Sequence, residues 1–334
     1  MPIKDNSSYF EAESFGCELI SKTVGELFDE RVAATPDKEA LVYDYPELGI
    51  ELRLSFREAD AIVSRLAKGL LALGLGKGDH IGVWATNVPE WYFLQIAIVK
   101  IGAVIVTINT NYRKDEVEYV LRQGDIKALF LIDRFRTNDY LASIFEIAPE
   151  IATVRNPAEE DIKARALPVL RKVILLNGDP PAGVLSYNSV LALSDRVSEE
   201  TLQSAAKDVK TEDLAMMQYT SGTTGFPKGV LLTHHSLVNQ GHVSTGRGNM
   251  SSEERYVTSM PFFHIAGSLG GIIYSIYLGA TLIPLIFFDP LKQLELFHKE
   301  RASFTFAVPT MLLAMLHHPR FSEFDLSSLR SMFT

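Results

Sequence analysis

The chain has 334 residues, more than one compact core usually holds, so two subdomains are expected. Its composition, 47% hydrophobic and 22% charged, is that of a globular protein and excludes a disordered or fibrous chain. A formal net charge of −9 argues against general nucleic-acid binding and adhesion to anionic membranes, and a single cysteine, Cys17, excludes an internal disulfide or a thiolate metal cluster. The N-terminus, Met1-Pro2-Ile3-Lys4-Asp5-Asn6, has no apolar signal region, and with the cysteine usage this fits a reducing, cytoplasmic compartment.

Residues 1–22 read as a loosely ordered N-terminal arm. Thr23 and Glu26 form a capping box, and Val24, Leu27, Phe28 and Val32 share one face of the helix it opens, which Pro36 ends. Ala40–Tyr43 and Glu51–Leu54 read as a strand pair across a turn. Ser55 and Glu58 form a second capping box, and Gly74 stops the helix that follows.

From there strands and helices alternate. Strands are expected at Ile81–Trp84, Ala103–Ile108, Ala128–Ile132 and Lys172–Leu176, with helices at Pro89–Ile101 and Lys114–Gln123. Ala103–Ile108 lacks polar alternation, as a central strand covered on both faces does. The alternation implies right-handed βαβ units and a mainly parallel sheet, an α/β fold. Ile151–Leu167 is charged and poor in large apolar residues and reads as a surface insertion. Val197–Asp213 reads as a polar lead-in. Later elements are helices at His234–Thr245, Ala266–Leu278, Asp289–Lys299 and Pro309–His318, and strands at Tyr256–Met260, Ala280–Ile286 and Ser303–Val308. No charge occurs between His264 and Asp289, but Gly267, Gly270, Gly271, Gly279 and Pro284 argue for a buried helix and strand rather than a membrane span.

Tyr219–Val230 stands out. It places three glycines, four Ser/Thr hydroxyls and Lys228 between two apolar runs, a strand–loop–strand pattern. Glycines allow close backbone approach, and backbone N–H groups, hydroxyls and one ammonium together receive phosphate oxygens. Lys228 lies between Pro227 and Gly229, which rules out a Walker A loop. A second candidate, Pro261–Gly267 with His264, follows a strand and precedes a helix, where ligand sites of open α/β sheets gather. His234 and His235 are adjacent, so they do not converge on one metal; with His317 and His318 they are expected to be structural or solvated. Gly74–Asp79 leads into a strand and is a tight turn, not a dinucleotide loop.

Thr220-Ser221-Gly222-Thr223-Thr224-Gly225 followed by Pro227-Lys228-Gly229 resembles the phosphate-binding signature of the adenylate-forming (AMP-binding) enzymes: acyl- and aryl-CoA ligases, luciferases and adenylation domains. Within them the chain is most similar to the medium- and long-chain fatty acyl-CoA ligases. The resemblance runs from about Thr23 to the last residue and implies that residues 23–334 form the large N-terminal domain of that fold: mainly parallel sheets flanked by helices, in two αβ subdomains. It implies ATP, Mg²⁺ and coenzyme A as reactants, with a fatty acid as substrate. Ser221, Gly222, Thr223, Thr224, Gly225 and Lys228 would hold the ATP phosphates, Thr220 would give one oxygen to Mg²⁺, and His264 would gate the acid. Phe262, Phe263 and the Gly267–Gly271 helix start would line the acyl pocket, and Ala307–Leu312 resembles a wall of it. Aryl-acid activation, adenylation for a carrier protein, and a non-catalytic ATP- or acyl-binding module are the alternatives. The family's adenine, ribose, acidic metal-binding and C-terminal lysine motifs have no counterpart here, so the domain is expected to be incomplete, without the C-terminal cap domain, and inactive and poorly soluble by itself.

Overall fold

The computed structural model describes residues 18–220 and 227–334. Two β-sheets carry the fold. In the seven-stranded sheet the spatial order is Lys228–Thr233, Leu214–Thr220, Val104–Thr107, His80–Trp84, Ile126–Leu131, Lys172–Leu175 and Leu185–Ser186. All its pairings are parallel except the first, the antiparallel hairpin at its edge. The six-stranded sheet has the order Ser331–Phe333, Phe304–Phe306, Arg255–Thr258, Thr281–Pro284, Glu39–Tyr45 and Ile50–Ser55, with only the last pair antiparallel.

Both capping boxes form. The Thr23 hydroxyl accepts the Glu26 N–H at 3.1 Å, and the Glu58 carboxylate accepts the Ser55 N–H at 2.8 Å. Gly74 adopts φ = 72° where the second helix stops, a conformation that costs glycine little. Val104–Thr107 is buried throughout between two neighbours, as its lack of alternation implies.

The helix Pro89–Lys100 is buried from Trp91 onward. Buried on nearly every side, this helix has little solvent face and packs against the helices Val24–Ala34 and Phe56–Ala72. Just before it, Asn87 is 3% exposed and joins the carboxyl ends of both sheets. Its Nδ2 donates to the Met260 and Leu285 carbonyls at 3.0 and 2.9 Å, and its Oδ1 accepts the Phe262 N–H at 2.7 Å. Its own N–H donates to the Ile286 carbonyl, and its carbonyl accepts the Tyr43 hydroxyl. At the opposite end of the six-stranded sheet, Arg255 donates to Glu39 at 2.7 Å and Arg53 to Glu300 at 2.7 Å.

Three expectations change. Val197–Asp213 is not merely a polar lead-in: Ser198 caps a helix at Glu199–Lys207, seated by the buried Leu202. Ile151–Leu167 lies at the surface yet is anchored, with Ile151, Ile162, Ala164 and Leu167 buried and the Lys172 ammonium donating to the Pro157 and Glu160 carbonyls. The helix after His264 is not uniform. It runs through Ile265–Gly267, a π-helical Ser268–Ile273 and Tyr274–Leu278. At its start a Cβ on Gly267 would lie 2.2 Å from the Pro261 carbonyl oxygen, so only glycine lets the chain fold back there.

Replacing Asn87 by Ala strands two buried carbonyls and one N–H. Asn87→Ala is expected to lower unfolding stability by about 3 kcal/mol or more, measured by urea denaturation.

His234, expected to be structural, is fully buried, and its Nδ1 accepts the Val24 N–H at 3.1 Å. Burial pushes its pKa from 6.5 down to about 4. Between those values the unfolded chain binds a proton that the folded chain refuses. Stability is therefore expected to fall by on the order of 3 kcal/mol as pH drops from about 6.5 toward 4. The check is denaturant unfolding across that range; His234→Gln should flatten the slope within it.

Candidate functional site: a cleft between a hairpin and a histidine-capped helix

The strands Leu214–Thr220 and Lys228–Thr233 pair antiparallel, with Thr220 opposite Lys228. The expected strand–loop–strand therefore exists at both flanks. Ser221, Gly222, Thr223, Thr224 and Gly225 lie outside the described residues. The Tyr119 hydroxyl donates to the Pro227 carbonyl at 3.2 Å, and Tyr219 hydrogen-bonds through its hydroxyl to Gln123, so the neighbouring helix Lys114–Gln123 holds both feet of the hairpin.

Beside this hairpin opens a cleft of about 1010 Å³. The hairpin supplies Gln218, Thr220, Val230 and Leu232; the helix His234–Arg247 supplies Leu237; the chain from Phe263 to Tyr274 supplies the far wall. Lys228 stands opposite Thr220 at the hairpin end, next to the cleft lining rather than within it. Lys228 is exposed. Apart from His264, no described residue lining the cleft is ionisable near neutral pH, and apolar groups such as Leu232, Leu237, Leu269 and Phe306 form much of its wall.

His264 caps the helix that follows. Its Nδ1 accepts the Ala266 N–H at 3.2 Å, and its carbonyl accepts from the Gly267 and Ser268 N–H groups. Partial burial lowers its pKa, so the neutral ring is favoured. With Nδ1 accepting, the neutral ring carries its proton on Nε2.

The structure thus brings Thr220 and His264 to one cleft, with Lys228 beside Thr220 in the ladder. It corrects other expectations. Phe262 is fully buried against Trp91, its ring centroid 6.3 Å away, and does not line the cleft, whereas Phe263 does. Of the expected helix start, Leu269 and Gly270 reach the cleft. Ala307–Leu312 does not; the residue before it, Phe306, does. In keeping with their expected structural or solvated role, His317 and His318 do not line the cleft and His235 hydrogen-bonds to Asn239. Sequence reasoning missed Gln218, a polar residue inside an apolar strand, and that mismatch was the available signal.

Among the described residues no group of three or more His, Cys, Asp or Glu side chains is placed to hold a metal ion. The donor set near the hairpin fits magnesium only in part, through the Thr220 hydroxyl; such an ion would take the rest of its oxygen shell from phosphates and water. Among the described residues no helix is long and apolar enough to cross a membrane.

Residues 28–334 match the family model described as AMP-binding enzyme. The chain is 37% identical over 314 residues to YngI of Bacillus subtilis, whose assignment as an acyl-CoA synthetase is provisional; the match covers 94% of this chain and 56% of that protein. It is 34% identical over 324 residues to the human mitochondrial medium-chain acyl-CoA ligase ACSF2, covering 94% and 51%. The chain thus spans about half the length of the curated relatives it matches. Among solved structures, the inhibitor-bound N-terminal domain of FACL13 from Mycobacterium tuberculosis superposes with a TM-score of 0.74 at 27% identity, covering 93% of this chain and 69% of that one. The fold is that of the N-terminal domain of adenylate-forming enzymes, and the chain belongs to the AMP-binding enzyme family, with acyl-CoA synthetases among its relatives.

Proposed function

We propose that this chain supplies the phosphate loop and the acid pocket of an ATP-dependent ligase that converts a medium- or long-chain fatty acid to its acyl-adenylate and then to acyl-CoA. The observation that carries the reading is the cleft: a largely apolar cavity that meets Thr220, the ladder partner of Lys228, at one edge and His264 at another. The relative named as a medium-chain acyl-CoA ligase supports a fatty acid over an aromatic one.

In the first step a carboxylate oxygen attacks the α-phosphorus of ATP, the bond to the bridging oxygen breaks, and pyrophosphate leaves. An anion attacks a polyanion, so donors and cations fixed around the phosphates lower the barrier, above all where they bind more tightly in the transition state. Ser221, Gly222, Thr223, Thr224 and Gly225 would hold the β- and γ-phosphates, with Lys228 as a point charge. Thr220 would offer an oxygen to the magnesium that travels with the nucleotide. The neutral His264 would donate from Nε2 at the cleft and shape access of the acid. In the second step the sulfur of coenzyme A attacks the acyl carbon, the acyl–oxygen bond breaks, AMP leaves, and the thiol proton passes to solvent.

The test is thioester formation by the natural gene product over a panel of fatty and aromatic acids. Fatty acids are expected to dominate; faster turnover of aromatic acids, or none of any acid, overturns the reading. In that protein Lys228→Ala should slow pyrophosphate release about a hundredfold, roughly 3 kcal/mol of barrier, as loss of one preorganised donor does. Its thermal unfolding should shift little, since Lys228 is exposed. His264→Ala should change the ranking of acids by kcat/KM while leaving ATP affinity nearly intact, measured by competition kinetics and nucleotide titration.

A further inference from the structure

Gln218 is 7% exposed and borders the cleft two residues before Thr220. Its Nε2 donates to the Ser268 hydroxyl at 2.7 Å. Ser268 is fully buried, opens the π-helical segment, and donates from Oγ to the His264 carbonyl at 3.1 Å. The Ser268 carbonyl in turn accepts Gln95 Nε2 at 3.0 Å, from the fully buried face of Pro89–Lys100. Two buried amides from different layers thus converge on one serine. What such a buried polar cluster adds to an apolar core is a preference for one arrangement of the elements it joins.

We propose that Gln218 is a positioning residue for the acid substrate, acting through Ser268 to set the spacing between the phosphate hairpin and the His264–Gly270 wall. The inference rests on the acid-pocket reading above. Loss of the bond frees the π-helical segment to shift, and the shift moves Leu269, Gly270 and the His264 carbonyl together while the hairpin stays in its sheet. The consequence falls on the acid and not on ATP.

The experiment compares Gln218→Met, which keeps shape and removes the donor, with Ser268→Ala and the double variant, each in the natural gene product. Each single variant is expected to raise KM for a fatty acid about tenfold, the scale of one buried hydrogen bond, with KM for ATP within about twofold of wild type. The double variant should add little to either. Hydrogen exchange should accelerate at the amides of 265–273 in Gln218→Met and stay unchanged in Val24–Ala34. Unchanged acid KM, equal rises in both KM values, or unaltered exchange at 265–273 overturns the proposal. If Gln218→Met does not fold, Ser268→Ala carries the same readouts. Wild-type protein that turns over no acid instead overturns the acid-pocket reading, and the exchange measurement then decides whether Gln218 holds the segment.

Discussion

One buried amide, Asn87, ties the carboxyl ends of the two sheets together. Asparagine suits that position because it offers two donors and an acceptor in one plane, matched here by two carbonyls and one N–H. The segment that those bonds hold, Met260–Phe262, leads directly into His264. The placement of the histidine against the hairpin is therefore inherited from a contact made on the other sheet. Tyr43 and Tyr45 extend the same seam, the first donating to the Asn87 carbonyl and the second accepting the Ile286 N–H.

The cleft lies where two different kinds of rigidity meet. On one side a hairpin is fixed by its ladder and by tyrosines that grip its feet. On the other, a helix with a π-helical turn is fixed by side-chain hydrogen bonds to Ser268. A π-turn widens the helix and weakens its own ladder, so outside partners decide where it rests. That difference explains why a largely apolar pocket carries a small, buried polar cluster at its wall.

The local elements were legible because local chemistry determines them. The capping boxes at Thr23 and Ser55 and the stop at Gly74 all appear as the residue types require. The helix Glu199–Lys207 was missed because only Leu202 is buried on it, too thin a stripe to show as periodicity. Phe262 was placed in the pocket and Phe306 was not, although both are aromatic residues near strand ends. Phe262 turns away from the cavity along the backbone path that Asn87 and Gly267 impose.

The amino-acid sequence by itself determined the α/β class, the parallel core strands, the family signature and the hydroxyl- and glycine-rich loop with Lys228. Each rests on neighbours in the chain or on side-chain period. The tertiary structure alone decided that Glu39–Tyr45 pairs with Thr281–Pro284, more than two hundred residues away, and that Gln95, Gln218 and Ser268 meet. The physical reason is that a strand's pattern records which face is buried but not which strand lies beside it. A buried polar side chain likewise records that it needs a partner, and only the assembled packing says which one.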